Sequence, residues 1–175
     1  LVIIDGLSGC GKILVSELLK PIKNINVVKL EICFDHLPII YSFGDIEKSA
    51  AQATLKTILD KNIYYSSIGR EINLRRHDLT FALNHPNKFK YLNSLLRKPK
   101  KDKLIKDVIT PKQIFPFMVH MSTFNNTLFE ETFPNLNIIY ILRDPLFIIE
   151  TYSSYLDRIN CDPREFTPKI EFNNI

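Results

Sequence analysis

The segment Gly6–Lys12 (GLSGCGK) contains residue types that bind phosphate oxygens. Its glycines let the backbone curl so that several N–H groups point inward, and Lys12 adds a full positive charge. An apolar run precedes the segment and helical spacing follows it, which is the context in which G-x-x-x-x-G-K indicates phosphate binding. A tight strand–helix turn without a ligand is the alternative. The predicted cofactor-binding residues of this loop are Gly6, Ser8, Gly9, Cys10, Gly11, Lys12 and Ile13.

Position 13 departs from the pattern of nucleoside triphosphatases. Ile13 stands where a Ser or Thr hydroxyl normally holds Mg²⁺, and an isoleucine side chain cannot bind a metal. No Asp at the end of a second apolar strand offers a replacement ligand. We therefore predict phosphate binding without a metal, and we assign no metal ligands.

A second candidate anion site follows the apolar run Asn137–Leu142. Arg143 comes directly after this run, and Thr151 lies eight positions further on, where it can face Arg143 only if the chain folds back. A guanidinium and a hydroxyl together form a compact phosphate clamp. Equally, Arg143 and Asp144 could be a capping pair that stiffens the turn before a helix.

The segment Ile138–Tyr155 (IIYILRDPLFIIETYSSY) resembles the motif with which sulfotransferases hold the 3′-phosphate of 3′-phosphoadenosine 5′-phosphosulfate. That motif is a hydrophobic strand, an Arg, usually a Pro, a Ser eight positions after the Arg, and then a Tyr. Arg143 and Pro145 match, and Thr151 keeps the hydroxyl of the Ser. In cytosolic members a catalytic His ends a strand upstream of this Arg, and here His120 lies 23 positions before Arg143.

The first loop is also similar to this family. Gly11 and the segment Val15–Leu19 look like the 5′-phosphosulfate loop and its helix, although Gly9 stands where Lys is common and Lys12 where Thr is common. The resemblance covers both ends of the chain and covers residues 30–110 poorly. It implies a single sulfotransferase-like domain over residues 1–175, truncated at both ends, with a P-loop nucleotide-binding architecture.

The resemblance implies a sulfotransferase that moves a sulfuryl group from 3′-phosphoadenosine 5′-phosphosulfate to an acceptor hydroxyl or amine without a metal. Lys12 would stabilise the bridging oxygen, His120 would be the general base, and Glu71 is the second candidate for the base. The acceptor would be a small molecule or a glycan. One alternative is a P-loop small-molecule kinase that uses ATP, with Arg143 on the transferred phosphate. Another is a non-catalytic nucleotide-binding domain in which His120 is structural.

Strands that alternate with helices must position these residues, and this pattern predicts an α/β fold with a mainly parallel sheet flanked by helices. Ligands of such sheets bind at the carboxyl ends of the strands. The last strand, an unbroken Ile/Tyr/Leu run, is expected to be buried on both faces. The predicted strands are Leu1–Ile4, Asn26–Ile32, Phe115–His120 and Asn137–Leu142. The predicted helices are Lys12–Lys20, Asp45–Lys61 with Asp45 as N-cap, Asn87–Arg97, Ser122–Phe133, and Leu146–Arg158 with Asp144 as N-cap, and Ile68–Thr80 is a predicted loop.

Composition limits the function classes. A chain of 175 residues with 45% hydrophobic and 11% aromatic residues can bury a core, which excludes disorder as its main state. The net charge of +4 suits an anionic ligand but is too small for a general nucleic-acid binder. No apolar run approaches the roughly 20 residues that a bilayer requires. The six basic residues of Arg97–Lys106 are either a solvated surface or a rim that attracts an acidic acceptor.

The cysteines indicate the compartment. There are three, widely spaced and without a CxxC pair, so neither a disulfide scaffold nor a zinc cluster is expected. A reducing compartment, and hence the cytoplasm, is the expected location. The oligomeric state stays open.

Overall fold

The computed structural model describes residues 1–78, 80–85, 87–96, 113–120, 122 and 126–160. Its strands are β1 (Val2–Asp5), β2 (Lys29–Leu30), β3 (Pro116–Met118) and β4 (Asn137–Tyr140). Its helices are α1 (Lys12–Leu19), α2 (Ile32–Ser42), α3 (Lys48–Ser67), α4 (Lys88–Leu96), α5 (Asn126–Thr132) and α6 (Pro145–Asn160), with a short 3₁₀ helix at Ala82–Asn84. The four strands form one parallel sheet in the order β2-β3-β1-β4, so the predicted α/β fold with a parallel sheet is confirmed.

The register of the sheet places the carboxyl ends of all four strands at one edge. Leu30 pairs with Met118, Met118 with Ile4, and Ile4 with Ile139. From β1 the chain crosses to β2 on one side, whereas from β3 it crosses to β4 on the other side. The boundary between β1 and β3 is therefore a topological switch point, the place where open α/β sheets bind ligands.

Two apolar clusters hold the helices on the sheet, because successive residues of a strand point to opposite faces. On one face Ile3 and Phe117 pack against α2, α3 and α5. The ring centroid of Phe34 lies 4.9 Å from the ring centroid of Phe117 and 5.7 Å from that of Phe129. On the other face a smaller cluster around Ile4 packs against α1. The larger cluster fixes α2, and α2 in turn contributes to the site.

Helix α2 is absent from the sequence-based prediction. The strand expected over Asn26–Ile32 is only Lys29–Leu30, and Ile32 already begins the helix. Proline inside a helix removes a hydrogen bond and is a strong breaking signal, yet Pro38 lies inside α2 and is buried. Packing of Phe34 in the core outweighs this local cost.

The N-terminus of α3 also differs from the prediction. The helix begins at Lys48 after an extended Glu47 that makes no side-chain cap, and it continues to Ser67. The assignment of Asp45 as N-cap is therefore wrong. The backbone N–H of Asp45 instead donates to Ile40 O at 3.2 Å, where it closes the end of α2.

Strand β4 is not buried on both faces, contrary to the prediction. Asn137 and Tyr140 are exposed, while Ile138 and Ile139 are half-buried. Among the described strands β4 pairs only with β1, so it lies at an edge of the sheet. An apolar run of this kind is typical of a central parallel strand, but its position in the sheet depends on non-local pairing.

The remaining elements agree with the prediction apart from their ends. Asp144 is the N-cap of α6, since its Oδ1 accepts the Leu146 N–H at 2.9 Å. The described part of Ile68–Thr80 contains only turns and irregular backbone. The basic run Arg97–Lys106 lies outside the described residues.

Candidate functional site

The loop between β1 and α1 needs glycine at two close contacts. Gly6 has a φ of +143°, and a Cβ there would lie 2.5 Å from Ile141 O and 2.7 Å from the Sγ of Cys10. Gly9 has a φ of +85°, and its Cβ would lie 3.0 Å from the Cγ2 of Thr151. The loop is thus pressed against the segment that follows β4.

Lys12 points into this loop. Its side chain is buried, and its ammonium donates to Gly6 O and, at 3.0 Å, to Leu7 O. Burial lowers the pKa of Lys12, while the nearby Asp5 and Asp35 carboxylates act in the opposite direction. The ammonium is therefore a poorly solvated cation for which an anionic acceptor would be a strong partner.

The N-terminus of α1 adds partial positive charge to the same place. Gly11 precedes the helix in a left-handed conformation, and no side-chain cap bonds to the first turn among the described residues. The first intrahelical bond runs from Val15 N to Gly11 O. Uncapped N–H groups at a helix start bind phosphate or sulfate oxygens, so the residues present fit such a group. Ile13 is largely exposed at this turn.

Arg143 and Thr151 both reach Gly9. The Nη1 of Arg143 donates to Gly9 O at 3.3 Å, and a Cβ at Gly9 would lie 3.0 Å from the methyl group of Thr151. Helix α6 is continuous from Pro145 to Asn160, so no folding back of the chain is needed. The structure therefore brings the two predicted anion-binding segments, which are far apart in sequence, to one location.

His120 lies just beyond β3, at the switch point of the sheet. Its backbone N–H donates to Asp35 Oδ1 at 2.6 Å, and its Nδ1 lies 3.2 Å from Asp35 Oδ2. Asp35 is in the first turn of α2 and is buried. In a neutral imidazole this contact requires Nδ1 to carry the proton, which leaves Nε2 as the acceptor.

Asp35 is a candidate site residue that the sequence-based prediction did not include. The only signal was one carboxylate inside the apolar segment Ile32–Ile40, and α2 itself was not predicted. The carboxylate and the imidazole are 85 positions apart, so no local spacing relates them.

Asp5 ties the loop to the segment after β3. This carboxylate is fully buried and accepts the Gly6 N–H at 2.7 Å and the Ser122 hydroxyl at 2.7 Å. Both bonds hold the glycine-rich loop in register with the end of β3. Asp5 therefore positions the loop relative to His120.

Glu71, the second candidate for the base, lies elsewhere. Its carboxylate is 3.2 Å from the Nζ of Lys29, beside the edge strand β2. Among the described contacts, none joins Glu71 to His120 or to the loop Gly6–Lys12. Of the two candidates, His120 is the one at the switch point.

Comparisons with family models, with curated proteins and with solved structures each found no match to this chain. Within the described residues, no helix has both the length and the apolar character needed to cross a bilayer. The same part of the chain contains no cluster of three or more His, Cys, Asp or Glu side chains that could hold a metal ion.

Proposed function

We propose that this chain is a sulfotransferase that moves a sulfuryl group from 3′-phosphoadenosine 5′-phosphosulfate to an acceptor hydroxyl or amine. The observation that carries the proposal is the meeting of Arg143 and Thr151 at Gly9. One loop and one helix thereby offer two anion sites side by side, as a ligand with separate 5′ and 3′ phosphates requires.

In this proposal the loop Gly6–Lys12 holds the 5′-phosphosulfate. The first-turn N–H groups of α1 bind its oxygens, and Lys12 exchanges the neutral carbonyls of Gly6 and Leu7 for a charged acceptor. The ammonium and the anionic oxygens carry opposite charges, and their attraction in a partly desolvated loop favours the exchange. Lys12 then neutralises the charge that develops on the leaving phosphate oxygen.

Arg143 and Thr151 hold the 3′-phosphate. A guanidinium has five N–H donors, and among the described contacts of Arg143 one donor is used, on Gly9 O. The remaining donors and the Thr151 hydroxyl can bind a phosphate that lies beside Gly9. This pair distinguishes a 3′,5′-bisphosphate from a 5′-monophosphate.

His120 takes the proton of the acceptor. Its Nε2 is the basic nitrogen because Asp35 holds Nδ1 as the proton donor. The acceptor oxygen or nitrogen forms a bond to sulfur as it loses its proton, and the bond from sulfur to the 5′-phosphate oxygen breaks. The donor supplies a group already attached to a good leaving group, so positioning and charge stabilisation supply the catalysis.

A kinase that uses ATP is the alternative. It requires an oxygen ligand for Mg²⁺ at position 13, where this chain has the apolar and largely exposed Ile13. Among the contacts of the described residues, none favours the kinase over the sulfotransferase, so the two are separated by experiment.

The test compares Arg143→Ala with Arg75→Ala, a control whose side chain is 85% exposed. Calorimetry in EDTA should show that Arg143→Ala weakens the binding of adenosine 3′,5′-bisphosphate by about 2 kcal/mol and leaves the affinity for adenosine 5′-phosphate unchanged. Arg75→Ala should change neither affinity. Equal losses for both nucleotides in Arg143→Ala would refute the 3′-phosphate site.

A further inference from the structure

A cleft of about 320 Å³ lies beside the edge strand β2. It is enclosed by β2 and the residues before it, by the end of α3 and the loop that follows, and by the 3₁₀ helix with α4. This volume is within the range of small-molecule binding sites. The loop Gly6–Lys12 contributes no residue to its lining, so the cleft is distinct from the anion site.

Four charged side chains line the cleft, and they form two opposite-charge pairs. Lys29 Nζ lies 3.2 Å from Glu71 Oε2, and Lys61 Nζ lies 3.9 Å from Glu31 Oε2. The buried Asn62 joins the pairs, because its Oδ1 accepts from Lys29 at 3.1 Å and its Nδ2 donates to Glu31 at 2.8 Å. The lining therefore has no net charge.

The rest of the wall combines aliphatic surface with uncharged polar groups. Val28, Leu30, Ile72 and Ala82 supply the aliphatic surface, and the ring of Tyr91 also lines the cleft. The uncharged polar side chains are those of Asn26, Ser66, Asn73 and Thr80. Burial raises the pKa of Tyr91 to about 12, so its hydroxyl stays protonated at neutral pH. A wall of aliphatic surface and uncharged polar groups, with its charges already paired, favours an uncharged ligand that has an apolar body and one or two polar atoms.

A charged ligand is disfavoured here. It would either separate an existing ion pair or bring an uncompensated charge into a partly desolvated space, and both cost free energy. A hydroxyl suits the pairs better. An ammonium has three donors, and the contacts of Lys29 with described residues use two of them, on Asn62 and Glu71, so that the third can bind a ligand oxygen.

Helix α2 connects the lining of the cleft to the carboxylate that holds His120. Glu31, which lines the cleft, directly precedes α2, and Asp35, which holds His120, follows four residues later. These two positions are about 6 Å apart, one turn of helix. Leu30 lies in the same row as Ile4, two strand spacings or about 10 Å from β1.

We infer that this cleft binds an uncharged small molecule that carries a hydroxyl group, in preference to a charged acceptor such as an acidic glycan. That this molecule is the sulfuryl acceptor rests on the proposed function. The binding itself does not.

The test uses three probes of the same shape and different charge: benzyl alcohol, benzoate and benzylamine. Each is titrated into the full chain without nucleotide, and backbone amide shifts are followed by NMR. Benzyl alcohol should shift the amides of Lys29, Asn62 and Ala82 and should bind at least about tenfold more tightly than either ion. Equal affinities, shifts confined to other residues or no binding of benzyl alcohol would overturn the inference.

Two variants that each remove one charge of the pair Lys29–Glu71 should shift the ligand preference in opposite directions. Lys29→Met leaves the cleft with a net negative charge and should shift preference toward benzylamine, whereas Glu71→Gln should shift it toward benzoate. Asp60→Asn, on the exposed side of α3 and outside the lining, should leave the order unchanged. The Glu71 side chain is half-exposed, and glutamine keeps its ability to form hydrogen bonds, so we expect Glu71→Gln to fold. If Lys29→Met does not fold, the charge preference of Glu71→Gln alone tests the inference. Unchanged preferences in Glu71→Gln would contradict the inference.

The outcome is separable from that of the proposed function. If benzyl alcohol binds selectively but the chain does not discriminate between the two adenosine nucleotides, the inference about the cleft holds and the proposed sulfotransferase function is refuted. If the nucleotides are discriminated but benzyl alcohol does not bind selectively, only the inference about the cleft is refuted.

Discussion

Replacement of Gly9 by alanine tests the contact at which the two anion-binding segments meet. Gly9→Ala should cost stability for two reasons: its φ of +85° is unfavourable for any residue with a Cβ, and the new Cβ would lie 3.0 Å from the Thr151 methyl. The backbone part is about 1–2 kcal/mol. The contact part should add about 1 kcal/mol, near the lower end of the usual cost of overpacking.

The chain offers a matched control for each part. Gly44 has nearly the same φ, +80°, and a Cβ there would meet nothing within 4 Å, so Gly44→Ala measures backbone strain alone. Thr151→Ser removes the Cγ2 methyl group and keeps the hydroxyl. The double variant Gly9→Ala/Thr151→Ser should therefore regain the contact part and lose only as much stability as Gly44→Ala.

Urea unfolding of the four variants measures these differences, and calorimetry measures adenosine 3′,5′-bisphosphate affinity beside them. Gly9→Ala should weaken the binding of the bisphosphate, because the new Cβ displaces α6 and so moves Thr151 and Arg143 away from the loop. A double-mutant coupling near zero between positions 9 and 151 would refute the reasoning. It would mean that α6 does not pack on the loop in solution.

Three further predictions concern the chemistry. His120→Ala should lose about 10²–10⁴-fold in turnover, the usual contribution of a general base, and should keep its bisphosphate affinity; a folded variant with normal turnover would move the role to another residue. Burial lowers the pKa of Lys12, so its ammonium should lose its proton below pH 10.5, the pKa typical of lysine. The affinity for the bisphosphate should therefore decline with rising pH already below pH 10.5. The affinity of Lys12→Arg should stay flat over that interval, because a guanidinium remains charged; an equal decline in Lys12→Arg would exclude Lys12 as its cause. Ile13→Ser should not acquire magnesium-dependent ATP hydrolysis, since no Asp directly follows the apolar strand β3 as a second ligand; a large gain in that assay would favour the kinase.

Local patterns predicted the part of the site that one short segment builds. The strand, glycine-rich loop and helix around Gly6–Lys12 occur within one residue of their predicted ends, because their signals are all in adjacent positions. The N-cap at Asp144 is a similar case. Short-range rules were sufficient where the hydrogen bonds are themselves short-range.

Non-local packing determined what the sequence did not reveal. Helix α2 forms around a buried proline because Phe34 completes a core built from four other elements, and this packing cannot be seen in the segment alone. The contact of Asp35 with His120 depends on that helix. The exposure of β4 depends on its place in the strand order. The cleft is assembled from several separate segments, so no sequence motif predicts it.

The most direct test of the central claim is a calorimetric titration of the unmodified chain with two ligands, adenosine 3′,5′-bisphosphate in EDTA and ATP with and without Mg²⁺. A sulfotransferase should bind the bisphosphate without metal and more tightly than adenosine 5′-phosphate, and Mg²⁺ should not strengthen its binding of ATP. Magnesium-dependent binding of ATP, together with equal affinity for the bisphosphate and the monophosphate, would contradict the proposed function.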